Sequence, residues 1–211
     1  MKSRVAIFAA VLLALAALPA LATPIGPNTG APALTTTIST YGVDPFSTEA
    51  AALIGTSTNP VPISYGGATA GSWLKQLQGL VLDPTDELNL VEYVRVDPQQ
   101  DWTDWHEVIK AQNIGWSQDA DDSWYSLDGG TTKIYTGYTY NGQDLELVFQ
   151  TPVAPGTLVI FHKELINLGS SQFSGEIDVN QYPSVPEPAT LSLLALGGLA
   201  MLRRRKHARA R

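Results

Sequence analysis

From Glu87 onward the chain is built of short runs rich in β-branched, aromatic and alternating apolar residues, each closed by Gly, Pro, Asn or Asp. Leu88 and Leu90 lead into Val91, Tyr93-Val94 and Val96 before a stop at Asp97-Pro98. Thr132 to Tyr140 is rich in Tyr, Thr and Ile, and Leu145 to Phe149 mirrors it across Asn141-Gly142-Gln143-Asp144. An Asn-Gly pair between two such runs is a strong hairpin signal, because Gly and Asn accept the positive φ of a tight turn. Thr157 to Leu165 gives another strand after Pro155-Gly156, and Gly175 to Tyr182 gives a last one. Upstream the signal is mixed. Leu74, Leu77, Leu80 and Leu82 combine two periods, so helix and strand compete there, and Thr23 to Thr40 reads as a linker or a first edge strand. Many short strands and almost no amphipathic helix predict an all-β fold over residues 41–183, a single antiparallel β-sandwich of jelly-roll-like type. No internal repeat suggests a solenoid or propeller.

The two ends are of a different kind. Lys2 and Arg4 precede an apolar stretch from Val5 to Leu18, and Ala20-Leu21-Ala22 follows. A positive start, a short apolar segment and an A-x-A site mark residues 1–22 as a secretory signal helix. Cleavage after Ala20 and Ala22 leaves Thr23 as the mature N-terminus. At the other end, residues 184–211 hold Val185-Pro186-Glu187-Pro188, an apolar run from Ala189 to Leu202, and the basic cluster Arg203-Arg204-Arg205-Lys206 at the head of residues 203–211. Each proline fixes φ and removes a backbone donor, so the triplet reads as an extended joint. As a transmembrane helix the apolar run would span roughly 21 Å, short of the ~30 Å hydrocarbon core, a deficit that snorkelling arginines partly make up. Lys and Arg directly after such a run stay cytoplasmic, which puts everything before it across the membrane.

The joint, the apolar run and the arginine cluster together resemble the PEP-CTERM sorting tail of Gram-negative bacteria. That tail also goes under the name of an ice-binding-protein C-terminal domain. The resemblance implies recognition by exosortase, a membrane protease/transpeptidase, and an inner-membrane precursor exported toward the cell surface or an exopolysaccharide matrix. It covers about an eighth of the chain and is silent on the body. No regular Thr-x-Thr ladder in the body supports ice binding.

Charge narrows the partners of the body. The net charge of −7 hides two basic ends around an acidic middle: residues 23–185 hold five Lys and Arg against nineteen Asp and Glu, a net −14. That balance excludes nucleic acid, which needs cations to neutralise phosphate. Cysteine is absent, so disulfides, thiol catalysis and Cys-based zinc sites are excluded.

Motifs for catalysis fail on inspection. His106-Glu107 opens like a zinc-protease helix, but Lys110 stands where the second His belongs. His162-x-Glu164 lacks the cysteines of a deaminase, and no G-x-S-x-G is present. The densest oxygen-ligand cluster is Asp119, Asp121 and Asp122, a candidate Ca²⁺ site without the EF-hand pattern, since Trp124 and Gly130 replace its Gly and Glu. Trp102, Trp105, Trp116 and Trp124 are candidate ligand-stacking rings if exposed, and core residues if buried. The sequence thus predicts a non-enzymatic exported surface or matrix protein, with a carbohydrate-binding module or carbohydrate-active enzyme as the alternative. What separates them is whether the tryptophans line an exposed cleft with convergent carboxylates.

Overall fold

A computed structural model describes residues 22–24, 35–62, 73–96, 101–119, 121–135, 137–140 and 142–186. Residues 1–21 of the signal segment 1–22 and the tail from Glu187 onward, with the apolar run 189–202 and Arg203 to Lys206, lie outside the described residues. Among the described residues all regular structure is β, and no helix is long and apolar enough to cross a membrane. The strands are β1 (Ala22–Pro24), β2 (Thr35–Ile38), β3 (Tyr41–Val43), β4 (Ala50–Ile54), β5 (Val61–Pro62), β6 (Trp73–Leu82) and β7 (Glu87–Arg95). They continue as β8 (Trp102–Ile109), β9 (Ile114–Trp116), β10 (Trp124–Ser126), β11 (Gly137–Tyr140), β12 (Asp144–Val153), β13 (Leu158–Asn167) and β14 (Phe173–Pro186).

Within Pro24–Val185 these strands form two sheets. The first runs β11-β12-β8-β14-β6-β2, and the second runs β10-β13-β7-β4-β3 with β5 beside β7 and β9 beside β13. The expected hairpin is present: β11 and β12 pair antiparallel from Gly137↔Leu147 to Tyr140↔Asp144, and Gly142 takes the positive φ (73°) of the turn. The contested stretch from Trp73 resolves as a strand, whose alternating burial puts Trp73, Lys75 and Leu77 on one face. Gly79 at φ 66° sits where the β6–β14 register shifts by one residue, so Leu80 and Leu82 still face the core.

Two expectations need correction. The sheets are mixed, because β2 runs parallel to β6, and β4 and β5 run parallel to β7. A parallel pair needs a long crossover. The chain supplies it by switching sheets between partners: β3 to β5, all in the second sheet, separate β2 from β6, and β6 separates β5 from β7. The last strand also does not stop at Tyr182. It continues to Pro186, and its pairing with β8 reaches Ser184↔Asp104.

The core draws on both sheets. Ile38, Leu77, Leu80, Ile109, Leu145 and Val179 of the first sheet pack with Ala52, Ile54, Leu88, Leu90, Trp116 and Leu165 of the second. A second cluster is aromatic: Trp105 stacks between Trp102 (5.3 Å between ring centres) and Phe161 (4.9 Å) and meets Trp73 edge-on.

In this apolar interior sits a polar network that alternation alone would not place there. Lys75 of β6, Glu107 of β8 and Gln181 of β14 meet Glu92 of β7 and Lys163 of β13, each at most 1% exposed. Each lysine bonds both glutamates, with Lys75 Nζ 3.1 Å from Glu107 Oε2. Gln181 Nε2 donates to Glu92 (2.6 Å) and Glu107 (2.7 Å), and Trp105 Nε1 donates to Glu107 (2.7 Å). The two charges of each sign cancel, and every carboxylate is bonded across the gap between sheets.

Burial alone would raise the Glu107 carboxyl, but Lys163 and Lys75 overcome it and hold it down to about 2. The two lysines diverge. Burial works against charge on both, but Glu107 and Glu92 prevail at Lys75 and raise it, whereas Lys163 stays lowered with Lys75 repelling it.

Removing one member strands the others. Glu107→Ala leaves two buried ammonium groups facing one carboxylate and is expected to cost about 3–5 kcal/mol in urea unfolding. Lys163→Met combined with Glu107→Leu keeps neutrality and should cost less than Glu107→Ala alone. A Glu107→Ala loss below about 1 kcal/mol, the range of an exposed pair, would show that the network is not dry.

Candidate functional site

Polar side chains gather on the outer faces of both sheets. On the second sheet, His162 projects from β13 away from the core, and Trp124 of β10 stacks flat on its ring at 4.8 Å. Phe46 meets Trp124 edge-on, and Lys133 Nζ lies 4.9 Å from the Trp124 ring centre. His162 Nε2 is 2.7 Å from Asp44 Oδ2, while its Nδ1 faces the Asp122 carbonyl at 3.2 Å. Asp44 also accepts from the Phe46 N–H, Ser47 and Asn89. Its burial opposes ionisation, but the Phe46 N–H and His162 hold its carboxyl below the ordinary range. A nucleophile–base relay would need a hydroxyl on the second ring nitrogen. A backbone carbonyl stands there, so His162 ties two segments of chain together.

Two positions along β13 from His162, on the same face, Glu164 sits beside Asp122. Burial, then the charges of Asp122 and Glu87, push Glu164 up to about 8. Asp122 itself accepts a bond from Ser117 Oγ. Of the three candidate calcium ligands, then, Asp122 turns inward to Ser117 and Glu164, while Asp119 and Asp121 face solvent.

All four candidate stacking tryptophans are interior. Trp102 and Trp105 belong to the aromatic column, Trp116 to the larger core cluster and Trp124 to the layer under Phe46, each at most 1% exposed. They present no ring face to a sugar.

On the first sheet, Asp104 and His106 occupy alternate positions of β8 and share its outer face. Register places Glu146 of β12 opposite His106 on one side, and Tyr182 of β14 opposite it on the other. One ligand atom each from Asp104, His106 and Glu146 falls within 4.8 Å of the others. One imidazole and two carboxylates form a donor set that a divalent cation can take. The His106 ring stacks on Tyr182 at 4.9 Å. Burial, then the carboxylates of Asp144, Asp104 and Glu146, raise the Tyr182 hydroxyl.

The same residues hold the end of β14. The Ser184 N–H donates to Asp104 Oδ1 (2.9 Å), its carbonyl accepts from Thr103 Oγ1 (3.3 Å), and its hydroxyl lies 3.1 Å from His106 Nε2. Sequence reading missed this set, since His106 stood out only with Glu107, as the start of a zinc-protease motif that fails. The available signal was the i, i+2 spacing within a strand, which puts both on one face.

Comparison with known proteins gives this strand end a meaning. Residues 184–206 match the family model of the PEP-CTERM protein-sorting motif. The motif implies an exported protein, membrane-anchored as a precursor and processed by exosortase. No curated protein matches the chain. Among solved structures, a periplasmic inhibitor of g-type lysozyme, PliG from Aeromonas hydrophila, is similar at 9% identity and a TM-score of 0.29, over 63% of this chain and 99% of that one.

Glu164 generates a pH prediction. Its folded value of about 8 lies above the ordinary 4.5, so the folded protein holds a proton there that the unfolded chain releases. Its contribution to stability is complete below the ordinary value and is lost as pH rises toward 8. Glu164→Gln keeps the neutral shape and should flatten the decline in melting temperature between pH 5 and 8. An unchanged slope would count against the raised value.

Proposed function

We propose that this is a surface or exopolysaccharide-matrix protein of a Gram-negative bacterium, with a non-enzymatic β-sandwich body delivered by signal peptide and sorting tail. The observation that carries it is the match at residues 184–206, which begins on the last residues of β14. In this reading the run from Ala189 to Leu202 is a transmembrane helix of the inner-membrane precursor, with Arg203 to Lys206 on the cytoplasmic side. A 14-residue run underfills the bilayer by several Å at a cost of fractions of a kcal/mol per Å, which suits a substrate awaiting cleavage better than a permanent anchor. The sandwich is supported by core clusters that draw residues from both sheets. Calcium, where it binds at all, belongs with a weak extracellular site. Exopolysaccharide enters this reading as what the sorting tail implies; the acidic body itself argues only against nucleic acid.

In a host with exosortase, Glu187→Ala or deletion of Arg203 to Lys206 should leave the precursor unprocessed, with surface yield down about tenfold or more, the scale of losing a motif contact. Wild-type surface protein that still yielded the 189–202 peptide by mass spectrometry would show an ordinary anchor instead. One observation favours a second reading, a carbohydrate-active body: Glu164, raised beside Asp122, has the character of a general acid. Release of reducing sugar from exopolysaccharide by the wild type and not by Glu164→Gln would establish it.

A further inference from the structure

We propose that Thr103, Asp104 and His106 are positioning residues that clamp Ser184, fixing where the folded body ends and the segment processed by exosortase begins. The inference rests on the sorting reading above and adds a boundary to it. Ser184 is the first residue of the matched motif, yet it is 1% exposed. Its N–H, carbonyl and hydroxyl are each taken by a different side chain of β8. Asp104 Oδ1 also lies 2.9 Å from His106 Nε2, and Tyr182 stacks on the His106 ring, so the clamp is itself held in place.

The clamp stands where the strand needs it. From Val179 to Gln181, β14 is paired on both sides, with β6 and with β8. From Tyr182 to Ser184 the register with β8 runs on past the last residue paired with β6, and β1 also pairs with β14. Side chains that close a strand end hold it against fraying. A protease binds its substrate as extended backbone with free N–H and C=O groups. At Ser184 those groups are occupied, so the bonds open to the enzyme lie after it. Once the tail is gone, the same contacts keep a central strand of the first sheet from opening at its new terminus.

Hydrogen exchange read by mass spectrometry on the full chain in detergent tests the clamp without exosortase. Asp104→Ala should speed exchange of the Ser184 amide about tenfold or more, the scale of one hydrogen bond to a charged acceptor. Peptides covering 158–167 should stay unchanged and so report an intact fold. Asp104→Asn keeps an acceptor oxygen and should restore most of the protection. Thr103→Val, isosteric and half-buried, should give a smaller rise, about threefold. In an exosortase host, wild-type C-termini should all lie at or beyond Ser184, whereas the Asp104→Ala/His106→Ala double variant should add termini before it. Unchanged Ser184 exchange in Asp104→Ala, or a wild-type terminus before Ser184, overturns the clamp. Processing that survives Glu187→Ala would sink the sorting reading alone, since the exchange arm does not depend on it.

Discussion

The structure depends on a neutral ion network closed between two sheets. Each of Glu92 and Glu107 bonds Lys75 and Lys163, so each glutamate bonds one lysine of its own sheet and one of the other. Apolar side chains slide over one another at little cost, but a displaced carboxylate in this interior loses an ammonium partner and finds no water. A buried ion pair is weak evidence for stability, since apolar residues of similar volume often do as well. Its consequence here is register: slipping any of these strands by one residue would turn its charged side chain to the opposite face and strand its partners. Trp105 joins the two parts of the core, stacking with Trp102 and Phe161 while its indole N–H bonds Glu107.

That internal neutrality changes how the surface is read. Two of the five cations in residues 23–185 are spent inside, balanced there by two glutamates. The net −14 is therefore carried entirely outside the network, by seventeen carboxylates against three cations. Crowding of this kind is visible locally, where Asp122 and Glu87 help to keep a proton on Glu164, and where three carboxylates raise the Tyr182 hydroxyl. An exported protein with such a surface stays dispersed and repels anionic partners.

The delivery signal and the fold share residues. β14 lies between β8 and β6, inside the first sheet, and its last residues open the PEP-CTERM match. The match opens on the end of a central strand, where Ser184 is still paired with Asp104 of β8. The outer face of β8 that holds this end also carries the convergent Asp104, His106 and Glu146 set.

The sequence by itself determined what is written locally. Asn141-Gly142 set a hairpin because the turn needs a positive φ, and the apolar run from Leu88 set a strand, which the fold buries on both faces. The Pro-Glu-Pro joint, apolar run and arginines set the sorting signal, since that signal is a linear pattern. Tertiary structure alone decided the rest. Lys75, Glu92, Glu107 and Lys163 read as surface charges until partners 17 to 71 residues apart cancel them in the interior. The tryptophans read equally as ligand platform or core until Phe161 and His162, brought from β13, cover Trp105 and Trp124. Whether β2, β4 and β5 run parallel to their neighbours depends on which sheet each crossover enters, a choice made by the assembled core and by no residue alone. Ser184 reads as the start of the sorting tail for the same reason: its three partners lie about eighty residues earlier, and only the pairing of β14 with β8 brings them to it.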